Sequence, residues 1–410
     1  MSKPLRILHT SDWHLGQHFM GKTRHAEHQQ FCAWLIEQVQ AHQVDAVLIA
    51  GDLFDTGAPP SYAREQYSDF IVELRQTGCA LVVLGGNHDS VAMLGENKRL
   101  LAQLGARVIP AVSDDLAEQV LVLDHRDGTP GAVLCAIPFI RPRDVLLSQA
   151  GQSGADKQLQ LQQAIAGHYQ QLFELAVAKR AELGLPLPIV ATGHLTTVGA
   201  SASESVREIY VGTLESFPTN AFPAVDYIAL GHIHRPQKVA GLQHIRYCGS
   251  PIALSFDEAR QQKEVLLVDL DSSGLQQVSA LAVPRTQILL SLKGTLKELQ
   301  ALITDAAQQG TDQRPVWLEI QVSADDYLSD LQVRIAALCE GLPVEVLRIR
   351  RERGAATTNL FSDAKETLDE LSPEQVFAQR LSTESLDKVD EVRLQELYRE
   401  MLERLHNERG

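Results

Sequence analysis

The sequence contains no apolar run approaching the ~20 residues that a membrane-spanning helix needs. Its first residues, MSKPLRILHTSDWH, pass into a strand-like run and a polar motif without a secretory h-region. Both absences lead to the expectation of a cytoplasmic protein. Cysteine is scarce and scattered. Cys32, Cys79, Cys135, Cys248 and Cys339 are odd in number and show no CxxC spacing. They argue against disulfide staples and a thiolate zinc site, and for reduced thiols. Positive charge is also short, with 37 Lys and Arg against 52 Asp and Glu and a formal net charge of −15. That balance works against loose attraction to nucleic acid or anionic membrane. A local basic groove, bound cations or a basic partner can still reverse the field where it matters. No internal repeat or low-complexity tract is present.

What the chain does have is apolar content. Hydrophobic residues make up 44% of 410, enough for a sizeable core in one large domain with one or two smaller units. Short apolar runs read as strands at Leu5–Leu8, Ala46–Ala50, Ala80–Leu84, Ala132–Ile137, Ile189–Ala191, Tyr227–Leu230 and Val265–Leu270. Unbroken runs of this kind suit strands covered on both faces. Helical spacing lies between them: Phe31, Trp34, Leu35 and Val39 share one face, and so do Ile165, Tyr169, Leu172 and Ala176. The alternation predicts a layered α/β architecture over residues 1–280.

Residues 281–350 read as a separate small α/β domain: strand Ile288–Leu292, helix Thr295–Ile303, strand Val316–Val322, helix Asp325–Leu338 and strand Val344–Ile349. A polar linker, RERGAATTNLFSD, then leads into two helices within 351–410. The first opens on Ser372-Pro373-Glu374-Gln375, an N-cap serine with Pro at the first helical position and a capping-box Gln. The last carries a narrow stripe of Leu394, Leu397, Met401 and Leu405. That stripe either packs on its own protein or docks on a partner.

Five polar motifs follow closely on apolar runs: Ser11-Asp12-Trp13-His14, Gly51-Asp52-Leu53-Phe54-Asp55, Gly86-Asn87-His88-Asp89, Gly193-His194 and Gly231-His232-Ile233-His234. Each should sit at the carboxyl end of a strand, where open α/β sheets bind ligands. Carboxylate, amide and imidazole donors without cysteine favour Mn, Fe or Zn, and the oxygen share suits Mn. A carboxylate such as Asp52 can bridge two cations about 3.5–4 Å apart, an arrangement suited to phosphodiester cleavage. One ion acidifies a water, and the pair steadies the charge that builds on the phosphate. Singly these motifs are weak, since Asp-x-His is commonplace and Gly-Asn-His is an ordinary turn. Five together, each ending a strand, are not an accident of composition. His9 reads instead as a hydrogen-bonded structural group. His18, His25, His28, His42, His125, His168, His244 and His406 read as surface or helix residues.

In this order, DxH…GDxxD…GNHD…GH…GHxH, the set resembles the calcineurin-like metallophosphoesterase superfamily. The segments HTSDWHLGQ, AGDLFDTGAPPSYAR, NHDSVA, IPFIRPRD, ATGHLTTVGA, LGHIHRPQ and YCGSPIALSFDE resemble the nuclease-subunit family of bacterial SbcCD complexes. That family is the counterpart of the nuclease in eukaryotic and archaeal double-strand-break complexes. The likeness runs nearly end to end. It implies a two-sheet core flanked by helices, a small C-terminal capping domain and terminal helices. It also implies one metal held by Asp12, His14, Asp52 and His234, and another held by Asp52, Asn87, His194 and His232. His88 is then a non-ligand that faces the scissile phosphate and stabilises or protonates the leaving oxygen. Asp89 either orients His88 or caps its turn. Archaeal and eukaryotic relatives often carry a histidine three residues after the bridging Asp. Asp55 stands there instead and is left with a turn or a bond to a ligand.

The resemblance further implies a homodimer within a heterotetramer. Its partner is an ABC-type ATPase with long coiled coils, docked by the 364–410 helices. The implied activity is ATP-regulated DNA cleavage: 3′→5′ exonuclease action on duplex ends and endonuclease action on single strands and hairpins. A cytoplasmic, nucleoid-associated place follows. Lys22 with Arg24, Arg141 with Arg143, and Arg235 are candidate DNA-backbone contacts, or else solvated surface charge. The helix after Pro60, with Tyr62, Phe70, Ile71 and Leu74, is a candidate dimer face. Two rivals stand beside this reading. A nucleotidase or protein phosphatase would use the same chemistry, but the phosphatases show GDxxDRG and GNHE where this chain has GDLFDTG and GNHD. A metal-free scaffold would show ligand loss, and every expected ligand is present.

Overall fold

The strand-like runs assemble into two stacked sheets. The computed structural model describes residues 4–146, 153–209, 216–323 and 330–351, with 393–394 and 397–398. The first sheet runs, edge to edge, β14 (Gly274–Ala282), β13 (Glu264–Asp271), β1 (Leu5–Thr10), β4 (Ala46–Ile49), β5 (Ala80–Leu84) and β6 (Ala106–Ile109). The second runs β11 (Gln237–Lys238), β12 (Ile245–Tyr247), β10 (Tyr227–Gly231), β9 (Ile189–His194), β8 (Pro130–Cys135) and β7 (Val120–Asp124). β1, β4, β5 and β6 are parallel neighbours. So are β8, β9, β10 and β12.

Alternation along each strand divides the core. In β1, Ile7 joins Leu48, Val82, Leu134, Val190 and Tyr227 in the layer between the sheets. Its neighbour Leu8 points the other way, into the cluster under α1 (His25–Ala41) and α2 (Ser61–Gln76). On the outer face of the second sheet, α6 (Gly154–Leu183) lays Ile165, Tyr169, Leu172 and Ala176 against Val133, Ala191 and Ile228. Strands covered on both sides need apolar residues at every position, which explains the unbroken runs. The strands of the two sheets that the sequence did not announce are β6, β7, β11, β12 and β14, all outside the five that carry motifs. β14, for example, leaves most of its residues half-buried or exposed. Short helices α3 (Val91–Gly95), α4 (Lys98–Gln103) and α5 (Pro142–Val145) and the hairpin β2 (His18–Phe19) and β3 (Lys22–Thr23) fill the connections.

On α2, Phe70, Ile71 and Leu74 are buried in the chain's own core, and only Tyr62 of the expected dimer-face residues is partly accessible. A helix docked on a sheet must spend its apolar stripe inward.

The smaller unit is a three-stranded parallel sheet, β15 (Leu289–Gly294), β16 (Val316–Val322) and β17 (Val344–Arg351), with α7 (Leu296–Ala307) and α8 (Leu331–Cys339) packed on it. α7 begins at a capping box, Thr295 with Glu298. Phe19, Phe256, Ala259, Leu289 and Trp317 form an apolar joint between this unit and the two-sheet core. The expected terminal helices lie largely outside the described residues. Leu394 and Leu397 are helical and exposed; Met401 and Leu405 are not described. No helix among the described residues is long and apolar enough to cross a membrane.

Candidate metal centre

The five motifs leave their strands at one end of the sandwich. Ser11–His14 follows β1, Gly51–Asp55 follows β4, Gly86–Asp89 follows β5, His194 ends β9, and His232–His234 follows β10. The loops are tight. Asp12, His14 and Asp52 have φ of 54°, 50° and 51°, and His232 has φ of 92°. Non-glycine residues seldom adopt such values, and they cluster at functional sites. The first two motifs are laced together: Asp12 N–H donates to Gly51 O at 3.0 Å and His14 N–H to Asp52 O at 3.1 Å. Gly86 lies directly against Asp52. A Cβ at Gly86 would stand 2.1 Å from Asp52 Oδ1, so any side chain there displaces the carboxylate.

Seven donor residues converge. Asp12, His14 and His234 bring one donor atom each within 4.8 Å of one another, and Asp52, His194 and His232 do the same. Asp52 Oδ2 lies between the two sets, 3.7 Å from His14 Nε2 and 3.2 Å from His194 Nε2. Asn87 Oδ1 lies 2.9 Å from His194 Nε2 and 3.2 Å from His232 Nδ1. The outer ring nitrogens are occupied elsewhere. His194 Nδ1 donates to Ala50 O at 2.9 Å, His14 Nδ1 is 3.1 Å from Asp55 Oδ1, and His234 Nδ1 is 2.6 Å from Ser205 Oγ. Outer-nitrogen bonds of this kind orient imidazoles that ligate metals. His14 Nε2 is buried and has no hydrogen-bond partner. A buried polar atom left so is rare, and a cation is the natural partner for it among carboxylates and imidazoles. The donor set therefore fits divalent ions.

The electrostatics are those of a cation site. Burial works to raise the Asp52 carboxyl, but His194, His14 and His88 hold it well below the carboxylate range. Burial works to lower His194, yet Asp52 outweighs it and lifts the imidazole to about 9. His232 is pushed well below the ordinary imidazole value by burial, then by the charge on His194. In a centre without metal His194 therefore holds a proton that an incoming ion must displace, and His14 is shifted the same way, with Asp55, Asp52 and Asp12 outweighing burial.

His88 sits beside both sets. Its backbone N–H donates to Asp52 Oδ1 at 2.9 Å, its Nδ1 donates to the carbonyl of Asp55 at 2.8 Å, and its ring meets His14 edge-on at 4.6 Å. Asp89 does not orient it. The Asp89 carboxylate accepts from the backbone N–H groups of Leu53, Phe54 and Gly86 at 3.2, 2.9 and 2.8 Å, which decides for the capping role. Burial and then Asp52 raise that carboxyl to about 6.

Of the basic candidates, Arg24 is a correction. It is 1% exposed, paired with Glu27, bonded to Ala253 O at 2.8 Å and laid against Phe19 and Trp317. It braces the joint to the small sheet and cannot reach a phosphate. Lys22 pairs with Glu345 of β17 at 2.5 Å. Arg141 lies over the Phe139 ring with Nη2 3.3 Å from Asp89 O. Arg143 and Arg235 are exposed. Ser205, Glu258 and Lys263, which back His234, went unnoticed in the sequence. Buried Glu and Lys look like surface residues until their partner is seen.

The family profile described as calcineurin-like phosphoesterase matches residues 5–236, from β1 to just past His234. The SbcD subunit of the nuclease SbcCD from Escherichia coli (strain K12) is 53% identical over 404 residues, covering 98% of this chain and 99% of its own. The chain belongs to the calcineurin-like phosphoesterase family, in its SbcD group. The SbcD of Rhodobacter capsulatus is 32% identical over 390 residues, covering 91% of this chain and 94% of its own. That of Bacillus subtilis (strain 168) is 29% identical over 335 residues, covering 79% and 81%. A profile described as type 5 capsule protein repressor C-terminal domain matches residues 285–385. Membership in the phosphoesterase family makes the seven converging donors the metal-site candidates of a metal-dependent phosphoesterase.

Proposed function

We propose that the chain is the nuclease subunit of an ATP-regulated DNA-processing complex and hydrolyses phosphodiester bonds at a centre of two divalent ions. The observation that carries the reading is the pair of donor sets meeting at Asp52, with His88 outside both and grouped with His14 and Asp55 beside them. Asp12, His14, Asp52 and His234 hold one ion, and Asp52, Asn87, His194 and His232 hold the other. The mixed N/O donors favour Mn, with Mg, Fe and Zn as the alternatives to be distinguished by metal replacement. When bound, the pair supplies an acidified water and a clamp for negative charge on the phosphate. The chain's own groups do the rest. Asp55 and Ala50 fix the outer nitrogens of His14 and His194. The Asp55 carbonyl holds the Nδ1 proton of His88, which turns Nε2 toward substrate to stabilise or protonate the leaving oxygen; protonation requires the imidazolium form, which burial opposes and Asp52 favours.

The choice of DNA rests on kinship with relatives named as nucleases over almost the whole chain. It follows that 1–280 forms the nuclease domain, 281–350 the cap, and 351–410 the linker and helices that bind a coiled-coil ATPase, within a dimer of such pairs. Lys22, Arg141, Arg143 and Arg235 remain to position the DNA backbone. The expected actions are 3′→5′ exonuclease on duplex ends and endonuclease on single strands and hairpins, in recombination, replication and double-strand-break repair. The test supplies the full chain, its ATPase partner, ATP and Mn²⁺ with linear duplex and hairpin DNA. Cleavage that His88→Ala abolishes supports the reading. Turnover of a phosphoserine peptide with no action on DNA would replace it with a phosphatase.

A further inference from the structure

His234 is held from behind by a residue outside the five motifs. Ser205 Oγ lies 2.6 Å from His234 Nδ1 and also bonds Glu258 Oε1. The serine has one proton and the carboxylate can only accept, so Ser205 donates to Glu258 and accepts from the His234 Nδ1–H. That order fixes the proton on Nδ1 and leaves the Nε2 lone pair for an ion. Glu258 Oε1 is farther from His234 Nδ1, at 3.4 Å, so Ser205 is the nearer partner. The far end of the relay is rigid. Glu258 is fully buried and accepts from Lys263 Nζ at 2.7 Å, Leu254 N at 3.0 Å and Ser203 Oγ at 2.7 Å. Lys263 Nζ also donates to the His234 carbonyl at 2.9 Å.

The near end rests on an open segment. Ser201, Ala202, Glu204, Arg207 and Glu208 are all exposed. Val206 and Ile209 pack on the apolar cluster over the second sheet, and polar bonds hold the rest of the stretch. Ser201 pairs with Gln237, with Ser201 N–H donating to Oε1 at 2.9 Å and Gln237 Nε2 to Ser201 O at 3.0 Å. Glu204 N–H donates to Asp257 Oδ2 at 3.1 Å. The Glu204 carboxylate lies 3.7 Å from Arg348 and 3.6 Å from Arg350, both on β17 of the small sheet. The residue next to Ser205 is thus tied to the other structural unit.

We propose that Ser205 is a positioning residue for His234, and that the Glu204 contact with Arg348 and Arg350 keeps it seated. The ion held by Asp12, His14, Asp52 and His234 then binds tightly only while this segment lies in place. The inference rests on the two-ion reading above. It adds a serine relay and a tether from the small sheet to one ion alone.

The test measures how many Mn²⁺ ions the metal-free full chain takes up, and how tightly, by electron paramagnetic resonance titration. The wild type takes up two. Ser205→Ala still takes up two, with one weakened by about 10- to 100-fold, the usual cost of losing an outer partner. Ser205→Thr keeps the hydroxyl and stays within a few-fold of wild type. Glu204→Ala weakens the same ion by a smaller factor. Thermal melts confirm that each variant is folded. Unchanged affinities in Ser205→Ala overturn the proposal, and so does Ser205→Thr as weak as Ser205→Ala, since packing would then be the cause. Unchanged affinities in Glu204→Ala overturn the tether. A wild type that takes up no ion overturns the underlying reading, a different result from any of these.

Discussion

The Asp55 carboxylate stands 3.1 Å from Nδ1 of His14, and the carbonyl of the same residue accepts from Nδ1 of His88 at 2.8 Å. One residue thus orients a proposed ligand through its side chain and the proposed proton donor through its backbone. The group is an acceptor, so it supports the centre from behind. Burial works to raise its carboxyl, but the bond from His14 wins and holds it below the usual value. Asp55→Ala should weaken the ion at His14 by about 10-fold or more. Asp55→Asn, which keeps an oxygen for the Nδ1 proton, should cost much less. Mn²⁺ titration of both variants separates the two outcomes; equal losses would mean that charge, not orientation, is what Asp55 supplies.

His88 offers a sharper separation of roles. His88→Ala should retain both ions and lose cleavage by about 10²- to 10⁴-fold, the range of a proton donor at a leaving group. His194→Ala should lose an ion together with the activity. Ion counts read alongside single-turnover cleavage check the pair. If His88→Ala also loses an ion, His88 is a ligand and the leaving group needs another donor.

The centre was legible in the sequence because a metal site at strand ends has to be written in local motifs. Asp12, His14, Asp52 and Asn87 stand within a few residues of an apolar run, and His194, His232 and His234 likewise. What stayed hidden depends on pairings across long sequence separations. Arg24 looked like a free cation until Ala253, 229 residues on, supplied its carbonyl. Glu258 and Lys263 drew no reading from the sequence, and they face each other at 2.7 Å in the core. Phe70 and Leu74 of α2 announced an apolar face but not which neighbour would cover it. Asp89 carried two readings, and only the position of Leu53 and Phe54 beside its carboxylate chose between them.

Proton release should accompany metal uptake. In the metal-free centre His194 is lifted to about 9 by Asp52, against the pull of burial, from an unfolded value of about 6.5. A raised folded pKa stabilises fully below ~6.5 and loses that contribution as pH rises through about 9. Two outcomes follow. The metal-free protein should lose this part of its stability between pH ~6.5 and about 9. Mn²⁺ affinity should rise with pH across the same window, because the competing proton leaves. Calorimetry at pH 7.5 in two buffers of different ionisation enthalpy should detect about one proton expelled on loading the Asp52–His194 site. Uptake without proton release would mean that His194 is already neutral.

Arg24→Ala should behave as a stability variant. It removes the cation from a buried pair and leaves Glu27, 8% exposed, without it. Breaking such a pair by deleting one partner costs about 3–5 kcal/mol, and the stacking on Phe19 and Trp317 goes as well. Denaturant unfolding should therefore show a large loss. The salt dependence of DNA binding should stay unchanged, since no phosphate contact is lost. A smaller salt slope with unaltered stability would return Arg24 to the DNA-contact set.

The protein should also be acid-sensitive for a reason separate from its carboxylates. His9 is buried between the Tyr227 hydroxyl at 2.9 Å and the Leu230 carbonyl at 3.2 Å, and His28 donates to the Trp13 carbonyl at 2.7 Å. Burial depresses each to about 3, with Arg246 adding to the effect at His9 and Arg24 at His28. The folded chain keeps both neutral while the unfolded chain protonates them below ~6.5. Stability is therefore lost as pH falls from ~6.5 toward about 3, by about 1.4 kcal/mol per pH unit for each histidine well inside that window. Glutamine can donate to the same carbonyls without titrating. His9→Gln and His28→Gln should each lower stability at neutral pH through imperfect packing, yet flatten its decline between pH 6 and 4. Urea unfolding in chelator at several pH values measures that slope, with the metal centre's own protons common to wild type and variants. An unchanged slope in both variants would assign the acid sensitivity to the carboxylates.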